Sequence, residues 1–168
     1  FITKAGCWQV RFDAGHSPGH MSLTDNSRKL HICVDFLLPR ISPNISARLR
    51  DLNYDMLADY LCYLDSMMNC TADWLIIPGH DWPYFGGGVR AAQLVAHHAT
   101  RLDQLFTIIG NKPVSTNDAM LALFPFEMTD HEVFFASCEA RAHLNHLVTT
   151  GYLQHTDGKN GVDLFAKC

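Results

Sequence analysis

Nowhere in the 168 residues do apolar side chains run on for the about 18 positions that a membrane-spanning helix needs, so no membrane partner is expected. The Phe1-Ile2-Thr3-Lys4 start lacks an initiator Met and the long apolar core of a secretory leader, and further sequence is expected upstream. Cys-x-x-Cys pairs are missing as well. The six cysteines stand at 7, 33, 62, 70, 138 and 168, which is not the spacing of a zinc knuckle. Reduced, mostly buried thiols in a cytoplasmic protein are the expectation. Positive charge is scarce: 13 Lys and Arg against 17 Asp and Glu leave −4, which argues against nucleic acid or an anionic membrane as the main partner. With 48% hydrophobic and 18% charged residues, the composition is that of a soluble globular chain, one medium domain or one with a small appendage.

What the sequence does have is punctuation. Asp13-Ala14-Gly15-His16-Ser17-Pro18-Gly19-His20, Val34-Asp35-Phe36 and Ile77-Pro78-Gly79-His80-Asp81 each set a metal-competent side chain where a predicted strand runs out into a turn. Gly lets the backbone turn sharply, so its neighbour can point back over the strand ends. Loops at the carboxyl ends of strands converge in α/β sheets, so His16, Asp35 and His80 can meet despite their separation in sequence. His, Asp and His are ligands that zinc, manganese or iron accept. Such a metal lowers the pKa of bound water to about 7 and polarises a carbonyl or phosphoryl oxygen. The two oxygens of Asp35 point in different directions, so it can bridge two metals. Each residue alone is also an ordinary turn former, and only the repetition favours a metal site.

In chain order, Cys7–Asp13 alternates with Trp8, Val10 and Phe12 on one face, the pattern of a half-buried strand. Met21–Thr24 and Leu30–Asp35 flank the polar turn Asp25-Asn26-Ser27-Arg28-Lys29 and predict a hairpin. Residues 37–50 read as a loop over the strand ends. Asn53 or Asp55 is expected to cap a helix through Asn69, with Leu57, Tyr60, Leu61, Leu64 and Met68 inward. Met56 and Met67-Met68 read as helix packing. Trp74-Leu75-Ile76-Ile77 suits a strand buried on both faces. A long helix follows Gly86-Gly87-Gly88 and stops at Gly110, with Val95, His98, Leu102, Leu105, Phe106 and Ile109 as its stripe. The pattern changes at 111–114, so residues 1–110 and 111–168 are expected as two domains. Ser115 or Thr116 caps a short helix, and Asp130 caps a longer one with Val133, Ala136, Ala140, Leu144 and Leu147 inward. Tyr152–Thr156 and Val162–Lys167 then flank a turn rich in residues that tolerate positive φ. Two helices and a hairpin outline a winged helix.

The run Gly15-His16-Ser17-Pro18-Gly19-His20, an Asp closing a hairpin, and then Pro78-Gly79-His80 resemble the second half of the metallo-β-lactamase superfamily. The tail resembles the winged-helix appendage of the branch near the glyoxalase-II-like hydrolases and the endoribonuclease-like β-lactamase-like protein, and residues 37–44 resemble a loop of the bacterial members. The resemblance implies an α/β fold: the second half of a four-layer αβ/βα sandwich followed by a small winged-helix domain. It implies that His16 binds the first metal, Asp35 bridges both and His80 completes the second site, with His20 and Phe36 behind them. Two zinc ions are implied for the intact enzyme, with manganese or iron as alternatives, and a metal-bound hydroxide acting on a thioester or other acyl bond of a small molecule. The family's His-x-His-x-Asp-His motif is absent from these residues, so they are expected to be inactive or nearly so as a fragment. Val34 stands where Gly is usual, Ala14 where Pro is usual and Phe36 where relatives often carry His.

Trp82, Tyr84 and Phe85 are candidates for an acyl-pocket wall, although packing beneath the next helix accounts for them more simply. Arg40 is a candidate for an anionic substrate tail, against a solvated loop arginine. His97 and His98, adjacent on a helix, are not expected to be ligands. Residues 111–168 carry four Lys and Arg against seven Asp and Glu, so the winged helix is expected to be structural and not to bind DNA. Two other readings stand beside the acyl hydrolase: a ribonuclease of the same fold, and a non-catalytic oligomerising module. Half of a sheet-to-sheet sandwich would expose an apolar face, so self-association is expected.

Overall fold

The computed structural model describes residues 2–4, 6–47, 54–110 and 112–168, with Asn160 described by its backbone alone. In chain order the elements are β1 (Ile2–Thr3), β2 (Gly6–Cys7), β3 (Gln9–Asp13), β4 (His20–Asp25), β5 (Leu30–Val34), α1 (Met56–Met68), β6 (Leu75–Pro78), β7 (Tyr84–Phe85) and α2 (Gly87–Ile108). Then come β8 (Val114–Ser115), α3 (Thr116–Leu123), α4 (Asp130–Thr149), β9 (Leu153–Asp157) and β10 (Asp163–Lys167). The chain forms two compact units, Phe1–Pro43 with Asp59–Ala96 and Asn44–Ala58 with His97–Cys168.

In the first unit a five-stranded sheet has the order β3-β4-β5-β6-β7, and its β5–β6 pair is parallel while the others are antiparallel. The β4–β5 turn closes on Asp25, which is fully buried. Its carboxylate accepts the Ser27 and Arg28 backbone N–H groups and the Arg28 guanidinium, at 2.7–3.1 Å. The register puts Ser22, His31, Cys33 and Ile76 on the covered face, all nearly inaccessible. Phe36, Leu37, Tyr60, Tyr63, Leu64 and Leu94 are buried in the same unit.

The other face is apolar and open. Val10, Leu23, Ile32 and Ile77 stand in register across four strands, and Phe12 is opposite Met21. Phe12 is 69% exposed and Met21 49%. The alternation in β3 therefore does not mark a core face, because its partner face carries Arg11 and Asp13 and sits on the covered side. For the same reason β6 is fully buried only at Ile76 and half-buried at Leu75 and Ile77. In α1 the inward stripe is turned from the expected one: Tyr63 and Met67 are buried and Met68 is exposed. Asp55 caps α1 by accepting the Ala58 N–H at 2.9 Å, while Asn53 lies outside the described residues.

The second unit packs α3 and α4 with a three-stranded sheet of order β8-β10-β9. The short β8 was not foreseen, since two residues carry no periodicity. Both helices begin with capping boxes, Ser115 with Asp118 and Thr129 with Glu132, so Thr129 and not Asp130 caps α4. Leu105, Met120, Leu123, Leu144, Leu153 and Phe165 form the core. Ala140 through Asn145 are buried without interruption, so α4 is surrounded there and not merely amphipathic. That stretch includes Arg141, which reaches Asp163 Oδ2 at 2.7 Å and Asn145 Oδ1 at 3.0 Å. All six cysteines are unpaired, but only Cys33 is buried and Cys7, Cys62 and Cys168 are exposed. No helix among the described residues is long and apolar enough to cross a membrane.

Candidate metal centre

The β5 strand ends in Val34 and delivers Asp35, the β6 strand ends in Pro78 and delivers His80, and the turn after β3 carries His16. All three belong to the first unit. Asp35 Oδ1 lies 2.6 Å from His80 Nδ1, and Asp35 Oδ2 lies 3.9 Å from His16 Nε2. One carboxylate thus faces two imidazoles, each through a different oxygen. His80 is 70% exposed while His16 and Asp35 are about a quarter exposed, so the cluster is open to solvent on the His80 side.

Two glycines make this approach feasible. A Cβ at Gly79 would stand 2.5 Å from Asp35 Oδ1. A Cβ at Gly15, where φ is +128°, would stand 2.6 Å from the Cβ of Tyr60 and 2.9 Å from its Cα. Strain sits beside the ligand-type residues: Val34 has φ +45° and Asp81 has φ +65°. A β-branched residue in the left-handed region is a steric outlier, and its cost is of order 1–3 kcal/mol. The Gly79 N–H donates to the Val34 carbonyl at 2.7 Å, which holds the two strand exits together. Val34→Gly is therefore expected to stabilise the chain by about 1 kcal/mol after the entropy cost of Gly. Urea melts would measure it, and a loss of stability would show that Val34 is not strained.

Residues 102–168 match the family model described as the metallo-β-lactamase-like, C-terminal domain. The structure also matches that of a β-lactamase domain protein from Burkholderia ambifaria, at 35% identity and a TM-score of 0.94, covering 100% of this chain and 50% of that one. A metallo-β-lactamase family protein from Thermus thermophilus matches at 27% identity and a TM-score of 0.79, with 96% and 49% covered. The fold is that of the metallo-β-lactamase family. The chain spans about half the length of these two structures. A double mutant of the sec-alkyl sulfatase PisA1 shares the fold at 16% identity and a TM-score of 0.54, over 84% of this chain and 24% of that one. No curated protein matches the chain.

On this metallo-β-lactamase fold the remaining candidates separate. His20 Nε2 donates to the Cys33 carbonyl at 3.1 Å and its ring stacks on Phe36 at 4.2 Å. Phe36 is fully buried and meets His16 edge-on, which makes it a floor under both histidines. Arg40 is engaged, 2.9 Å from Asp81, the residue after His80. The Tyr84 hydroxyl donates to the Leu37 carbonyl at 3.1 Å. Trp82 is 79% exposed and Phe85 also faces solvent, so neither packs beneath α2 as expected. Burial pushes the Cys33 thiol up to about 12, which leaves it a packed thiol and not a ligand.

Sequence reasoning missed the Arg40–Asp81 pair and the strain at Val34, since neither a loop ion pair nor a φ value has a local signature. The Gly usual at the Val34 position was the one available hint. Among the described residues, the one set of three whose ligand atoms all lie within 4.8 Å of one another is His155, Asp157 and Asp163, in the second unit. There Asp163 is already held by His155 at 2.8 Å and by Arg141. His16, Asp35 and His80 are not so tightly drawn together.

Proposed function

We propose that this chain supplies half of the metal centre of a two-metal hydrolase acting on a thioester or other acyl bond of a small molecule. The observation that carries the reading is the Asp35 carboxylate, which presents one oxygen to His80 and the other to His16. A carboxylate so placed suits a bridge between two sites better than a single three-ligand site. The donor set of two imidazoles and a carboxylate fits zinc, with manganese or iron as alternatives. His16, Asp35 and His80 would hold it. When bound, the metal supplies Lewis acidity and a water of lowered pKa. The residues of this chain orient the site: Phe36 supports His16 and His20, the Gly79–Val34 hydrogen bond ties the two strand exits, and the Arg40–Asp81 pair braces the turn after His80.

The decisive experiment measures metal content on the intact protein, then hydrolysis of thioester and RNA substrates. About two equivalents of metal with thioester turnover support the reading. RNA turnover instead would favour the ribonuclease of the same fold. A metal-free, inactive protein would overturn both. Within this chain, Asp35→Asn keeps the shape and removes the charge facing both histidines. It is expected to weaken zinc binding at least about tenfold in a calorimetric titration. Unchanged affinity would remove Asp35 from the site.

Residues 111–168 are read as a winged-helix module with a structural role. Its net charge is negative, and the arginine of its longest helix is spent on a buried pair with Asp163. Free thiols, three of them exposed, suit a reducing cytoplasmic setting.

The open apolar sheet face favours a second reading, in which the chain also serves as an oligomerising module. Val10, Phe12 and Met21 lie together on it and are exposed. The isolated chain is expected to sediment as a dimer or larger species at tens of micromolar, and the double variant Phe12→Glu, Met21→Lys as a smaller one. A clean monomer before substitution would refute this.

A further inference from the structure

The second unit contains a cavity of about 410 Å³ that plays no part in the metal centre. Its size falls within the ~300–1,000 Å³ range of small-molecule sites. Leu102 and Phe106 of α2, Leu147 of α4 and Tyr152 form the apolar walls, and the Phe106 and Tyr152 rings meet edge to face at 5.8 Å. The polar lining comes from Asp103, His146 and Thr150.

His146 is held from behind. Its Nδ1 lies 2.9 Å from Asp55 Oδ2, and the same carboxylate accepts the Ala58 N–H at 2.9 Å and the Thr149 hydroxyl. The carboxylate accepts from Nδ1, so in the neutral ring Nε2 is the nitrogen without a proton. With Nδ1 committed, Nε2 is the ring atom left to the cavity. Asp103 makes no ion pair among the described residues. No Lys or Arg among the described residues lines the cavity. The Asp103 carboxylate and the neutral His146 ring thus offer acceptors beside aromatic surface, while the Thr150 hydroxyl donates to the His146 carbonyl. Among the described residues, Asp55 and Asp103 bring negative charge to the cavity, and the Lys167 ammonium stands 4.1 Å from the Phe106 centroid. That contact also shows the Phe106 ring receiving a cation.

We propose that this cavity binds a small protonated organic amine. Its apolar body lies against Leu102, Phe106 and Tyr152, and its ammonium is received by Asp103 and His146 Nε2. The site needs no metal and stands apart from the hydrolase reading.

The test is NMR of the histidine-labelled, chelator-treated chain, titrated with phenethylamine, 2-phenylethanol and 3-phenylpropionate. The amine is expected to shift the His146 ring resonances with a Kd on the order of 1 mM, as suits a ligand of about nine heavy atoms. The alcohol and the acid bind more weakly. Asp103→Asn weakens the amine about fivefold, and Lys167→Met, which removes the competing ammonium, tightens it. Asp103 is exposed, and an unliganded spectrum matching that of the parent shows that its variant is folded. No shift of His146 at about 10 mM amine overturns the proposal. So does equal binding of the three probes, which would mark an apolar crevice without charge selection. Failure of metal binding at His16, Asp35 and His80 would leave these readouts unchanged.

Discussion

Acidification from about pH 7 to about pH 4.5 is expected to remove about 5 kcal/mol of stability, before most carboxylates begin to protonate. Three buried imidazoles produce the effect. In the second unit His98 Nδ1 lies 3.1 Å from His143 Nε2, both rings are inaccessible, and His143 Nδ1 donates to the Glu139 carbonyl at 2.8 Å. Burial holds both far below the usual histidine range, and the cations they would become repel each other. In the first unit His31 is enclosed by Tyr63 and Thr24 at 3.0 and 2.9 Å, and burial, with Arg11 adding to it, brings it to about 4.

A histidine with a depressed folded pKa stabilises fully above its unfolded value of about 6.5 and loses about 1.4 kcal/mol per pH unit below it. Two units of descent for three histidines cost about 8 kcal/mol. Glu139 works the other way: burial, only partly offset by Arg101, raises it to about 7, so it gains a proton in the folded state as pH falls. That returns about 3 kcal/mol between pH 7 and 4.5. His97, Arg101 and His146 are the other charged or titratable groups felt by the pair. Urea denaturation at stepped pH should give a slope of about two protons between pH 5 and 6. His143→Gln should reduce it to about one. Flat stability across that interval would mean that the imidazoles protonate inside the fold.

Gly15→Ala is the second substitution expected to have a large effect, a loss of about 2–6 kcal/mol together with displacement of His16. Two costs add. The φ of +128° is one that L side chains rarely adopt, at about 1–3 kcal/mol. The new methyl would also meet Tyr60 at its Cβ and backbone, and overpacking costs about 1–3 kcal/mol. Tyr60 cannot swing aside, because the clash is with the root of the side chain and its hydroxyl donates to the Phe36 carbonyl at 2.9 Å. Gly19→Ala is the control, since its Cβ would meet nothing within 4 Å although φ is +64°. Thermal melts of the pair, with zinc titrations, separate the two contributions. If both variants lose the same stability, the contact with Tyr60 is not what requires glycine at position 15.

The gathering of His16, Asp35 and His80 at the strand exits was legible because its signals are local. Gly-His and Pro-Gly-His turns announce a side chain at a strand exit whatever the rest of the chain does, and Asp35 follows a short alternating run. The same locality explains the start of α3, where Ser115 has an acidic residue three positions on; Thr129 carries the same signal, although Asp130 was the expected cap. Periodicity was a poorer guide to faces. Val10 and Phe12 alternate as core residues do, yet alternation cannot say which side of a sheet a helix covers, and here the apolar side is the open one. Arg141 entered only as one of the four basic residues of 111–168, because nothing near it in sequence shows that Asp163 awaits it in the interior.

The sequence by itself determined the order of elements, the turns that end them and the residue types gathered at the strand exits, since backbone preference and hydrogen bonding to near neighbours act within a few residues. Only the tertiary structure decided that Asp35 faces two histidines through separate oxygens. The same holds for the pairing of His98 with His143, the cavity beside His146 and the exposure of the apolar sheet face. Those depend on which surfaces meet across long stretches of chain, and burial, charge pairing and desolvation are properties of that meeting.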